Sequence, residues 1–213
     1  MRWIPGARTR DARLQFPMMV LLALVLVALA VGPALAGHAE VSLPGSEFEI
    51  DADANLVLDD SGLDWATVVE ERRSDEPSGT GDNSFGQGSK EDTPVPSVVS
   101  GSIPPNKSDL KTFGVYQEET ASGKFLHLFW TRVQDPSGTT NMDFEFNKST
   151  VLSANGVTPV RSIGDLLITY DLSRGGTVPT LSLREWTGSA WGPAADLSGS
   201  GNATGAINTT AIT

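Results

Sequence analysis

Asn141, Asp143 and Glu145 occupy alternate places in Asn141-Met142-Asp143-Phe144-Glu145-Phe146, a spacing that gives them one common face if the segment is extended. Met142, Phe144 and Phe146 then point the other way, into a core. Carboxylates aligned along a strand can serve as acid, base or nucleophile toward a sugar, or can bind one; the plainer alternative is a solvated outer face. Asp51, Asp53 and Asn55 offer the alternate oxygen ligands of a calcium loop. The sixth and twelfth places of such a loop, where Gly and Glu belong, hold Leu56 and Gly62. A looser calcium site or a solvated acidic turn remains, and Asp82-Asn83-Ser84 and Glu91-Asp92 have the same standing. Trp186 and Trp191 could present flat ring faces to a pyranose, with Trp130 expected inside. His127 lies within an apolar run and His38 is the only other histidine, which leaves no zinc set and no Ser-His pair. No Gly-rich phosphate loop or nucleophile elbow is present. The expectation is a protein that is not an enzyme and needs no cofactor, calcium excepted.

The elements that must position these residues read as short strands. Ser46 to Ile50 alternates, and Leu56-Val57-Leu58 resumes an apolar run after the acidic turn. Trp65, Val68 and Val69 stand at helical intervals behind Asp64, predicting one or two helical turns over 63–71. Residues 74–109 are rich in Ser, Gly, Asp and Pro and predict a long surface loop, pinned by Phe85, Val95, Val98, Val99 and Ile103. Further strands follow at 112–116, 124–133, 141–147, 165–172 and 181–186, with turn signals at Pro136-Ser137-Gly138, Ala154-Asn155-Gly156 and Arg174-Gly175-Gly176. The run at 124–133 is long and apolar, which predicts a central position in its sheet. Trp186 and Trp191 flank Thr187-Gly188-Ser189 as a hairpin. Short strands, frequent Gly and the lack of a long amphipathic helix predict an all-β antiparallel sandwich or jelly roll.

The amino terminus predicts export. Arg2, Arg8, Arg10 and Arg13 precede an apolar stretch centred on Leu21 to Val31, and Gly32-Pro33 leads to Ala34-Leu35-Ala36, the pattern of a secretory signal peptide over residues 1–36. Its removal takes basic residues from 15 to 11 and acidic ones from 26 to 25, so the net charge moves from −11 to about −14. An acidic surface of that size repels phosphate backbones and anionic headgroups. Nucleic acid and stable membrane insertion are therefore not expected as partners. Cysteine is absent, so no disulfide framework supports the fold. Residues 37–213 suffice for one β-sandwich domain. After Asp196 the chain is Gly-, Ser-, Thr- and Asn-rich and stops at Thr213, which predicts truncation at the C-terminal end.

The Asn141–Glu145 segment resembles a strand of lectin-like jelly-roll glycosidases with the pattern Glu-x-Asp-x-Glu, nucleophile first and acid/base last. Asn141 stands in the nucleophile's place, and an amide cannot supply that carboxylate. The resemblance therefore implies binding rather than hydrolysis. Residues 81–110, 138–147 and 164–172 are similar to blocks of exported multi-module surface proteins of Gram-positive-type bacteria, a likeness running from about Leu43 to the end. It implies a secreted or cell-wall-associated surface protein and brings no catalytic residue. The combined expectation is an exported, envelope-associated binding or adhesion module. Its ligand would be a glycan or other surface polymer held at Asn141, Asp143, Glu145, Trp186 and Trp191. A jelly-roll polysaccharide-acting enzyme and a structural N-terminal cap are the alternatives. Oligomeric state is not legible.

Overall fold

In the computed structural model, residues 41–56, 62–76, 81–86, 92–100, 108–134, 140–173 and 178–208 are described. The expected signal peptide, residues 1–36, lies outside them. So do Asp59, Asp60 and Glu91.

The chain is β-rich and antiparallel in its sheets. β1 (Glu71–Ser74), β4 (Leu110–Thr120) and β5 (Gly123–Arg132) form a three-stranded sheet in the order β1-β4-β5. β6 (Thr140–Phe146), β7 (Leu166–Ser173), β8 (Val178–Glu185) and the two-residue β9 (Ala195–Asp196) form a four-stranded sheet in chain order. β2 (Asn83–Phe85) and β3 (Val98–Ser100) pair as a small ribbon inside the stretch expected to be loop alone. Val98 and Val99 there are β-branched, and pairing satisfies backbone groups that an isolated wrap would leave to water.

Period-two patterning decides which side of each strand faces inward. On β5, Phe125, His127 and Phe129 face an amino-terminal layer, in which Phe48 and Trp65 pack edge-on at 4.8 Å and Trp65 meets Phe129 at 4.6 Å. Gly114 lies opposite Phe129, whose ring fills the space a Cβ at 114 would need. Leu126, Leu128 and Trp130 face the other way. The Trp130 ring packs against Tyr170 at 4.6 Å and Phe144 at 5.7 Å, both from the inner face of the four-stranded sheet. That inner face carries Met142, Tyr170 and Leu172, all buried, with Leu181 packed alongside. Burial of Met142 or Leu172 stabilises the fold by about 1.5–3 kcal/mol each.

Three expectations are corrected. The helix expected over 63–71 is a hydrogen-bonded turn: Thr67 and Val68 amides return to the Asp64 carbonyl, and the chain becomes strand at Glu71. Asp64 caps the turn, but after it only Trp65 and Val68 pack against a layer while Val69 is exposed, too few contacts to carry a helix forward. The strands expected at 46–58 reduce to an isolated bridge between Phe48 and Leu63, with the Val41 amide bonded to the Ile50 carbonyl; residues 57–61 are outside the described set. Third, among the described residues β5 sits at the edge of its sheet, not the centre. Its hydropathy reflects cover above and below the sheet rather than strands on both sides. Near the end, Leu197–Ser200 makes one helical turn, capped by the Asp196 side chain on the Gly199 amide and closed by Gly201 at φ 74°.

Candidate functional site

β6 has the alternation read from its sequence. Met142 is buried and Phe144 and Phe146 are half-buried, while Asn141, Asp143 and Glu145 are exposed. Register extends this row across the sheet: Asn141 lies opposite Asp171, Asp143 opposite Thr169 and Glu145 opposite Leu167. Thr180, Ser182 and Arg184 follow on β8, beside Asp171, Thr169 and Leu167. One face of the four-stranded sheet is therefore polar over most of its area, and the other is core.

Glu145 is held in place by side chains from its own strand end and the following loop. Both its carboxylate oxygens accept from Arg161, from Nε and Nη2 at 2.8 Å each, and Asn147 Nδ2 adds a bond of 2.8 Å to Oε1. Arg161 Nη1 donates to the Thr93 carbonyl at 2.9 Å. The loop that delivers Arg161 is fixed by Asp165, a fully buried carboxylate that accepts from the Lys148 and Ser162 amides and from Asn147 Nδ2. Burial alone would raise the Asp165 carboxyl, but those bonds and the Lys148 charge outweigh it and hold it below the ordinary range.

Trp186 and Trp191 are corrected as ligand platforms, because they are 3% and 5% exposed. They bridge each other across the turn, meet edge-on at 5.2 Å and pack with Leu167. The Arg161 guanidinium lies 4.8 Å from the Trp186 ring centre and 5.0 Å from that of Trp191. The ring faces a pyranose would use are occupied by a cation from the same chain. Trp130, expected inside, is half-buried.

Asp51, Asp53 and Asn55 do meet. Asn55 Nδ2 donates to Asp51 Oδ2 at 2.7 Å and to Asp53 Oδ1 at 3.3 Å, and the Asn55 amide donates to Asp53 Oδ1 at 3.2 Å. Ala54 holds a left-handed φ of 57° at the turn's centre. An amide donor thus points at the oxygens that would have to face a cation. Among the described residues no group of three His, Cys, Asp or Glu side chains is placed to hold a metal. Asp75 has its carboxyl raised, by burial first and then by the nearby charges of Asp82 and Asp109.

Sequence reading missed a buried, well-connected polar group in the amino-terminal layer. Glu118 on β4 is buried, and its Oε2 accepts from the Ser46 hydroxyl at 2.7 Å and pairs with His127 Nε2 at 2.9 Å; Oε1 accepts from the Glu47 amide at 2.6 Å. His127 stacks on Phe48 at 4.2 Å. Burial alone would raise Glu118, but its three partners outweigh that and hold it low. Burial likewise lowers His127, more than Glu118 raises it. A neutral imidazole thus donates to a carboxylate. Ser46 bonds to Glu118 rather than to His127, so the trio is a latch for the amino-terminal layer and not a nucleophile–base pair. The sequence around it offers only the consecutive polar residues Gln117-Glu118-Glu119, which read as a solvated strand end.

Among the described residues no helix is long and apolar enough to cross a membrane. No family model, no curated protein and no solved structure matches this chain.

Proposed function

We propose that this protein is an exported, non-catalytic binding or adhesion module of β-sandwich type, and that it holds a glycan or similar surface polymer on the polar face of β6, β7 and β8. The observation that carries this reading is that face itself: exposed Asn141 and Asp143 stand in register with Thr169 and Asp171, over a sheet whose other side belongs to the core. An array of amide, hydroxyl and carboxylate groups on one sheet face suits polyhydroxylated ligands, whose hydroxyls both donate and accept. Glu145 contributes as a fork fixed by Arg161, and Asn141 replaces the second carboxyl that retaining hydrolysis requires. Binding is thereby favoured over cleavage. Secretion, with retention at the cell wall, is the reading that the signal-peptide pattern over residues 1–36 and the acidic, cysteine-free remainder support.

The test is a glycan array probed with the intact chain and with Asp143→Ala. Binding to a defined glycan class that Asp143→Ala abolishes supports the reading. Silence across a broad panel, or binding indifferent to Asp143→Ala and Asn141→Ala, refutes it.

A further inference from the structure

Asn155 and Gly156 form the tip of a short hairpin between β6 and β7, closed by an isolated bridge between Leu152 and Pro159 and by the Ser153 amide on the Thr158 carbonyl at 2.7 Å. Gly156 is exposed and holds a left-handed φ of 73°, which favours glycine. The Asn155 carboxamide is the hub of this tip. Its Oδ1 accepts from the Ser153 hydroxyl at 2.9 Å and from the Val157 and Thr158 amides at 2.8 and 2.9 Å. Its Nδ2 donates to the Thr158 hydroxyl at 2.8 Å and, 59 residues away in the chain, to the Pro96 carbonyl at 2.9 Å. That last bond, together with Arg161 Nη1 on the Thr93 carbonyl, fastens residues 92–96 beside a small cavity of about 210 Å³ lined by Pro94, Val95, Val160 and Trp186. An asparagine followed by glycine is also chemically labile, because no Cβ hinders the next backbone nitrogen from reaching the side-chain carbonyl carbon.

We propose that Asn155 is a site of slow, spontaneous deamidation, and that this modification undocks residues 92–96 from the hairpin. Gly156 N, losing its proton, bonds to Asn155 Cγ; the Cγ–Nδ2 bond breaks and ammonia leaves, giving a cyclic imide. Water then opens the ring at either carbonyl, to aspartate or isoaspartate. No oxidant or reductant takes part. The fold sets the rate, because the Gly156 amide is engaged by the Ser153 carbonyl at 3.0 Å and the carboxamide by five bonds, so the tip must open before the nitrogen can attack. The product loses only some of these contacts. A carboxylate at this position still accepts from Ser153, Val157 and Thr158, and the Thr158 hydroxyl can turn to donate to it. It has no donor for the Pro96 carbonyl, and it sets two oxygens in opposition where a hydrogen bond stood. The tie at Pro96 is lost while that at Thr93 stays, and the cavity beside Trp186 opens to water. This site lies outside the polar face of β6, β7 and β8, and it stands or falls independently of glycan binding.

The experiment incubates the intact chain in warm neutral buffer, beside the same chain unfolded in urea, and samples both over weeks by peptide mass spectrometry. Conversion at Asn155 is expected in both, on the order of tenfold slower in the folded chain. Ser153→Ala and Thr158→Val each remove a bond to the carboxamide, and each should speed conversion severalfold in the folded chain while leaving the unfolded rate unchanged. The aged product, separated by ion exchange on its added negative charge, should show faster amide hydrogen exchange across residues 92–100 and at Gly86, whose amide bonds to the Ser97 carbonyl, with β6, β7 and β8 unchanged. Asn155→Asp should reproduce that exchange pattern without ageing. The proposal is overturned if the folded chain shows no conversion, if folded and unfolded chains convert at equal rates, or if the two bond-removing variants convert no faster than wild type. It is also overturned if residues 92–100 are as protected in the aged product and in Asn155→Asp as in the unmodified chain.

Discussion

Removing Glu118 should destabilise the fold in proportion to what it leaves unpaired. In Glu118→Ala the Ser46 hydroxyl, the Glu47 amide and the His127 ring N–H lose their acceptor together, inside a layer where Glu118 and His127 are both buried. An orphaned buried donor costs about 1–3 kcal/mol. The hydroxyl can rotate and the imidazole can change tautomer, but the Glu47 amide is fixed, so the sum comes to about 3–5 kcal/mol. That is a large share of a typical domain's stability of roughly 5–15 kcal/mol. Glu118→Gln should cost only about 1–2 kcal/mol. Its carbonyl still accepts from Glu47, and its amide nitrogen faces a hydroxyl and a ring nitrogen that can each become an acceptor. Urea unfolding followed by tryptophan fluorescence reads both, since Trp65 belongs to the same layer. The same titration run against pH carries a signed signature. His127, Glu118 and Asp165 are all held below their ordinary values, so each contributes stability that is complete above its unfolded pKa and is lost as pH falls. Wild-type stability should decline below pH 6.5, where unfolded His127 begins to protonate, and further below 4.5 and 3.8 as the carboxylates follow. Glu118→Gln keeps the first decline and loses part of the second. The reasoning fails if Ala and Gln at 118 are equally mild, or if stability rises on acidification from pH 7 to 5.

Other outcomes follow from particular contacts. Arg161→Lys, which removes the fork to Glu145 and the cover over two indole rings, should cost about 1–2 kcal/mol, and Arg161→Ala about 2–3 kcal/mol. A thermal melt should register this at roughly 2–4 °C per kcal/mol, and an unchanged Tm would mean the stack is incidental. Gly114→Ala should destabilise by about 1–3 kcal/mol because Phe129 must move aside, and Gly114→Ala combined with Phe129→Leu should recover part of the loss. Added calcium at millimolar level should leave Tm within about 1 °C, since Asn55 directs a donor toward Asp51 and Asp53. A concentration-dependent rise in Tm would show that this turn rearranges to coordinate the ion.

The strands after Phe113 were legible because each carries its own signal: alternation at 141–146, aromatic and β-branched content at 124–132 and 166–172, and Gly-bearing turns between them. The inward set Met142, Phe144 and Phe146 followed directly from period two. Helix or turn over 63–71 was not legible, because the same few apolar residues serve either, and only the extent of the layer above them decides. The tryptophans show the limit most clearly. Nothing near Trp186 or Trp191 in the chain announces Arg161, which reaches them from a loop some 25 residues away and is aimed there by Asp165.

Sequence alone thus determined an acidic, cysteine-free, antiparallel β protein and the side to which Asn141, Asp143 and Glu145 point, since patterns of period two are local. Tertiary structure decided that Trp186 and Trp191 are covered, that Glu145 is tied to Arg161, that Glu118 latches the amino-terminal layer, and that among the described residues the apolar strand β5 lies at an edge. Hydropathy records how thoroughly a residue is shielded above and below its sheet. It does not record which strand, if any, lies beside it, and that depends on contacts between distant parts of the chain.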